Sequence, residues 1–355
     1  MAKKRKTLPK NFKELIEDGN IDSLKAVFDK CELTAHDGNY SKNTALHFRG
    51  VPDEFVRWFV ENGADINAQN YYGETPLCHQ SRVRKGAGTV KLLLELGADI
   101  KISSNSGTPL HAAVSGFSLD IVRSLVEAGA DIHEHNSGYF KMAPLESCLA
   151  HCRNMDIPGA ADVAELLLKS GAEITPKSLG EVKRIGKEFE FHRSSFSTDF
   201  LAETQAGLNK LYRLFNVEPV AARREHDGVS AVSVSSATWQ EQHQELWDYL
   251  VPSNGKAATV QGEVIRITGR ISDEFLRNGG VNWDKDYQKM LASLQTHFVS
   301  GNPLSAVELA ETATLSKALS GGDGDDECKK LAEFAVKWVL LNPCPIKMNG
   351  TDYKR

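Results

Sequence analysis

Apolar residues in the first half of the chain fall in short clusters at helical spacing, each closed by a glycine. In residues 107 to 132, GTPLHAAVSGFSLDIVRSLVEAGADI, Leu110, Ala113 and Val114 share one face of a short helix, and Ile121, Val122, Leu125 and Val126 share one face of a second. Pro109 has no backbone N–H to lose and opens the first helix; Gly116 and Gly129 can take the positive φ that closes each. The pattern predicts a helical hairpin with too little core to stand alone. From Asn11, FKELIEDGNIDSLKAVFDKC reads as another such hairpin with Gly19-Asn20 at its turn and more charge on its surface.

The hairpin phrase recurs. Thr44-Ala45-Leu46-His47, Thr75-Pro76-Leu77-Cys78, Thr108-Pro109-Leu110-His111 and Ala143-Pro144-Leu145-Glu146 follow one another at spacings of 31, 33 and 35 residues. Each has its closing phrase, Gly63-Ala64-Asp65, Gly97-Ala98-Asp99, Gly129-Ala130-Asp131 and Gly171-Ala172-Glu173. A period near 33 with a TPLH opening and a GAD closing resembles the ankyrin repeat. The resemblance covers about residues 8–177. It implies an all-α fold: a solenoid of helical hairpins with turn fingers over residues 11–177, its first hairpin a cap whose outer face meets water. A mainly helical C-terminal domain follows over 178–355, and residues 1–10 are expected to be a disordered basic N-terminus.

The period ends at Thr175-Pro176. Beyond it, apolar spacing predicts helices over about 178–192, 200–216, 238–250, 256–277, 284–299, 303–319 and 326–341. Four of the five tryptophans, Trp239, Trp247, Trp283 and Trp338, lie here, which argues for a real core. EHDGVSAVSVSSAT at 225–238 has the texture of a strand or of an ordered loop. The clearest helix carries Val260, Val264, Ile267, Ile271 and Phe275 as one apolar stripe, with Glu263, Arg266, Arg270, Asp273, Glu274 and Arg277 opposite. Such charges read as a solvated face laced by weak pairs. The competing reading is a polar site formed by Glu263, Arg266, Arg270, Asn282 and Asp284.

Charge narrows the function classes. The 42 basic and 47 acidic residues are balanced in both halves, unlike the basic footprint of a nucleic-acid binder. No apolar run is long enough for a membrane span, so the expected compartment is the cytoplasm. The six cysteines include no CxxC pair, and Cys148 and Cys152 beside His151 do not close a zinc site. SNGKAAT has Leu250 and Ala257 where a phosphate loop needs Gly and Ser or Thr, and GGDGDDE at 321–327 lacks the ligand order of a calcium loop. No catalytic set, metal or cofactor is expected.

In ankyrin proteins the stretch between repeats is a finger projecting sideways from the helices, and the His of the TPLH phrase braces it. The resemblance therefore places Gln69, Asn70, Tyr71 and Tyr72 near a finger tip, Arg82, Arg84 and Lys85 at the groove end of a first helix, and His133, His135, Tyr139 and Phe140 on an enlarged later finger. These are the expected contacts to one protein partner, with no nucleic acid or membrane involved; a tyrosine covering its neighbouring finger and a solvated turn for the basic cluster are the structural alternatives. The implied function is a protein-binding adaptor, in narrower form a bacterial inhibitor or immunity protein that blocks an enzyme or toxin. The alternative is an enzyme whose helical domain carries the chemistry and whose repeats choose the substrate.

Overall fold

The computed structural model describes residues 3–83, 86–137, 141–322 and 324–355. The chain divides into two compact units, Met1–Phe189 with Ser197–Val220, and Glu190–Phe196 with Ala221–Arg355.

The first unit begins with a short strand, β1 (Arg5–Thr7), paired in parallel with β2 (Cys31–His36). Residues 3–10 are thus ordered, which corrects the expected disordered start, and a two-stranded sheet joins the otherwise helical fold. The ordering has local causes: Leu8 is buried, its N–H donates to the His36 carbonyl, and Lys4 Nζ donates to the Phe28 carbonyl at 2.6 Å. Helices α1 (Phe12–Asp18) and α2 (Ile21–Lys30) form the capping hairpin. Gly19 turns it at φ +69°, and the Asn20 side chain caps the Ser23 N–H.

Four hairpins follow. A 3-10 turn (Ala45–His47) precedes α3 (Asp53–Glu61); α4 (Pro76–Ser81) precedes α5 (Ala87–Glu95); α6 (Pro109–Ser115) precedes α7 (Leu119–Glu127); α8 (Pro144–His151) precedes α9 (Ile157–Lys169). First helices stack on first helices, α4 on α6 on α8, and second helices likewise, α5 on α7 on α9. The leucine of every opening phrase, Leu46, Leu77, Leu110 and Leu145, is at most 2% exposed, so each hairpin buries the residue its neighbour needs. Thr75 and Thr108 cap their helices by accepting from the Cys78 and His111 amides. Trp58 packs among Phe28, Phe55 and Phe59. The unit continues past residue 177, where the sequence places its end. Helix α10 (Pro176–His192) follows, and α11 (Thr198–Phe215) lies along α9, so closely that a Cβ on Gly207 would stand 2.9 Å from Pro158 Cα.

In the second unit α12 (Trp239–Leu250), α13 (Val260–Leu276), α14 (Lys285–Phe298), α15 (Ala306–Gly321) and α16 (Asp325–Leu341) share one core that includes Trp338, Phe298, Met290 and Leu246. Helix α13 is central, packed by α12, α14 and α16. Thr238, Thr259, Asp284 and Ser305 cap the first four helices through their side chains. Residues 225–238 form an ordered loop, pinned where Val232 N–H donates to the Pro343 carbonyl and Ser235 and Ser236 donate to Glu245.

Candidate functional site

The fingers of the first unit are bonded to one another. His47 spans two of them: its Nδ1 accepts from the Thr44 amide at 3.2 Å, so Nε2 carries the proton and donates to the Glu74 carbonyl at 2.9 Å. His111 does the same between Thr108 and the Met142 carbonyl. Tyr71 N–H donates to Ser41, and Asn105 N–H to Tyr72. A row of fingers braced this way holds side chains at its tips with little freedom left to lose on binding.

Those tips carry a tyrosine cluster. Tyr40, Tyr71 and Tyr72 are 68%, 52% and 45% exposed, too open for a core. Yet they touch one another: the Tyr40 and Tyr71 hydroxyls share a hydrogen bond of 2.6 Å, their ring centroids are 4.3 Å apart, and Tyr72 lies 6.3 Å from Tyr40 and 5.6 Å from Tyr71. Tyr71 therefore covers a neighbouring finger and also presents surface. Tyr40 was not among the residues expected at the site. Its signal was in the sequence, because it precedes Tyr71 by the same 31 residues that separate Thr44 from Thr75.

The other expected contacts divide. Gln69 is exposed beside the cluster and donates to the Gly73 carbonyl. Asn70 is 7% exposed and is a turn-former: its Oδ1 accepts from the Tyr72 and Glu74 amides, and its Nδ2 donates to Asn43 and Glu74. Arg82 is not a free cation. Its guanidinium pairs with Glu74 at 2.6 Å, a carboxylate 6% exposed whose pKa is pushed down to about 2 by the His79 hydrogen bond and by Arg82. The pair leaves Arg82 43% exposed; Arg84, Lys85, Tyr139 and Phe140 lie outside the described residues. His133 and His135 are exposed, alternating with half-buried Ile132 and Glu134, on a finger two removed from Tyr71.

The family comparison agrees with this architecture. A model of ankyrin repeats in three copies matches residues 43–136 and again 83–178. Residues 43–178 are ankyrin repeats. Among relatives, a putative ankyrin repeat protein of Rickettsia bellii is 32% identical over 110 residues, 30% of this chain and 49% of its own length. A putative ankyrin repeat protein of Fowlpox virus is 32% identical over 111 residues, 29% of this chain and 31% of its own. The rabbit (Oryctolagus cuniculus) ankyrin repeat and SOCS box protein 5 is 29% identical over 132 residues, covering 37% and 36%. The matches span from 8 to 49% of the curated relatives' lengths.

In the second unit the expected solvated face of α13 holds for Arg270, Asp273 and Arg277, which are exposed, with Arg277 paired to Asp273 at 3.3 Å, and is corrected for the rest. Glu263, Arg266 and Glu274 are at most 1% exposed. The residues grouped by sequence separate into two clusters. In one, Arg266 binds Glu263 through two nitrogens at 2.6 and 2.8 Å, and Glu263 also accepts from the Ala257 amide and the Tyr353 hydroxyl. Burial alone would raise the Glu263 pKa, but the Arg266 and Tyr353 donors outweigh it and hold the carboxyl below its usual range. In the other cluster Glu274 accepts from Asn278 and Asn282. Asp284 caps α14 and pairs with Arg355 at 2.7 Å. Arg270 is exposed but feels the charges of both groups, Arg266 and Glu263 of the first and Arg355 beside the second. Among the described residues no three His, Cys, Asp or Glu side chains are placed to hold a metal, and no helix is long and apolar enough to cross a membrane. Cys148 and Cys152 are buried thiols, the latter pushed up to about 12 by burial.

Proposed function

We propose that the chain is a protein-binding adaptor whose contact surface is the finger edge of the ankyrin repeats, centred on Tyr40, Tyr71 and Tyr72 and flanked by Gln69, with His133 and His135 further along. The observation that carries this reading is the exposed, mutually packed tyrosine cluster. Aromatic side chains already fixed by their neighbours bury large area on a partner at small entropic cost, and each hydroxyl still offers a hydrogen bond. Asn70, 7% exposed and bonded within its own turn, supports the finger in this reading, while Arg82 is paired with Glu74 but stays 43% exposed at its edge. Partner specificity then rests on aromatic shape and hydroxyl geometry more than on net charge.

The narrower form of the proposal is a cytoplasmic bacterial inhibitor or immunity protein that occupies one enzyme or toxin. The enzyme alternative rests on Glu263 and Arg266, which are buried and paired as a catalytic set would be. Both Glu263 oxygens are already bound by protein donors, and this favours a structural clasp. The test is quantitative co-purification with the wild type and with Tyr40, Tyr71 and Tyr72 all replaced by alanine. One stoichiometric partner should be retained by the wild type and bound about 30-fold more weakly by the variant, a loss of ~2 kcal/mol, at unchanged melting temperature. Equal affinity for both proteins would refute the assignment of this surface.

A further inference from the structure

Residues 342–355 form neither helix nor strand, yet they run across the start of α13 as a strap bound at almost every step. Gln261, wholly buried, donates from Nε2 to the Asn342 and Cys344 carbonyls at 2.8 Å and accepts the Ile346 amide on its Oε1 at 3.0 Å. Backbone bonds continue from Val260 N–H to Ile346 and from Met348 N–H to Ala258, and Thr259 bridges Lys347 in antiparallel sense. This half of the strap is bound as an added strand would be.

The rest is held differently. Three cations of the helical unit donate to main-chain carbonyls within four residues: Lys289 to Asp352 at 2.7 Å, Lys256 to Tyr353, and Arg266 to Arg355 at 3.0 Å. Between them the Tyr353 ring sinks to 2% exposure, with Lys256 Nζ 4.8 Å from its centroid, and its hydroxyl donates to Glu263. Beyond it Arg355 pairs with Asp284 and lies over the Tyr287 ring at 4.7 Å. Arg266, 1% exposed, keeps Nη1 without a hydrogen-bond partner, a buried donor to spare in the same cluster. This arrangement reads general features of an extended peptide, its carbonyls, together with one buried tyrosine and one arginine two residues on.

We propose that the surface built by Lys256, Glu263, Arg266, Asp284 and Lys289 is a peptide-recognition site for an extended tyrosine-x-arginine segment, filled here by the chain's own residues 351–355. Apart from the bond from buried Arg266, the ionic contacts outside Tyr353 are open to water: Lys289, Arg355 and Asp284 side chains are 47%, 34% and 46% exposed, so each adds little. The segment therefore opens at lower cost than the helices beneath it unfold. A partner's segment with the same features competes with an occupant whose tether keeps it at high effective concentration, so the site reports only ligands that match it well.

The experiment uses the full chain with Tyr353→Ala, which empties the tyrosine pocket while leaving every residue of the site. The probe is a fluorescent synthetic peptide with the sequence of residues 349–355. Saturable binding to the variant, at least about tenfold tighter than to the wild type, is expected, and Phe in place of the peptide's tyrosine should weaken it by about tenfold through the lost hydroxyl bond to Glu263. No saturable binding by a folded Tyr353→Ala chain, or equal binding by both chains, overturns the proposal. Should that variant fail to fold, the full chain with Lys256→Ala and Lys289→Ala is followed by hydrogen exchange. Loss of protection confined to residues 349–355 supports an exchangeable strap; simultaneous loss across α13 and α14 makes the strap part of one cooperative core and refutes it.

Discussion

Acidification from pH 7 to pH 5 should destabilise the ankyrin unit through His47, well above the range in which carboxylates titrate. The ring is 1% exposed, and its two nitrogens have fixed roles, Nδ1 accepting from Thr44 and Nε2 donating to Glu74. A second proton has to enter at Nδ1, where the Thr44 N–H already points. Burial, aided by nearby His79, pushes the pKa down to about 4 from an ordinary 6.5. Below pH 6.5 the unfolded ring gains a proton that the folded ring refuses, so stability is complete above 6.5 and is lost progressively towards pH 4. Between pH 7 and pH 5 this amounts to ~2 kcal/mol, while unfolded carboxyls, with pKa near ~4, contribute mainly lower. His111 shares the arrangement and the direction of shift, so its loss adds in the same sense. Trp58 is the only tryptophan of the first unit, and 19F NMR of 5-fluorotryptophan-labelled protein separates that unit's urea unfolding from the other four tryptophans. His47→Gln should lower stability at pH 7 and flatten the pH dependence by ~2 kcal/mol. A variant whose stability falls between pH 7 and 5 as steeply as the wild type's would refute the reasoning.

Packing supplies two further predictions. Leu110→Ala, at a position 1% exposed between stacked hairpins, should cost ~2–5 kcal/mol in urea unfolding of the first unit; a loss under ~0.5 kcal/mol would contradict the stacking. Gly207→Ala decides between opposed effects. Helix propensity alone favours alanine by ~1 kcal/mol, but the new methyl would meet Pro158 N at 3.0 Å and Pro158 Cα at 2.9 Å, which are backbone atoms with no side-chain freedom to yield. A net loss of ~1–3 kcal/mol is expected from prying α11 off α9, and a rise in melting temperature would show that the helices part freely.

The repeats were legible because their determinants are local. Thr and Pro at the helix starts and glycines at φ +88° at Gly63, Gly97 and Gly129 write each hairpin into a window of about 30 residues. The helices of the second unit were legible from apolar spacing for the same reason. The ionic partner of Arg82 was not, because nothing in GETPLCHQSR marks Glu74 as buried; only the neighbouring finger's packing does that. Tyr40 is legible in the same way as the repeats, since their period aligns it with Tyr71.

The α13 misreading is of a different kind and bears on function. Val260, Val264, Ile267, Ile271 and Phe275 do form the expected apolar stripe, and all are buried. What the helical period could not express is that part of the opposite face, Glu263, Arg266 and Glu274, is also covered, the first two by a strap about 90 residues further along the chain with no periodicity of its own. A buried ion pair such as Glu263–Arg266 is a poor device for stability, since apolar residues of similar volume often serve as well or better. Retaining it is advantageous where the pair reads something specific, and here it reads a tyrosine hydroxyl and a backbone carbonyl. Local rules are expected to fail where a chain has kept polar chemistry for recognition at the expense of packing. By that argument the buried Glu263 cluster is where the peptide site proposed for the second unit should be tested first.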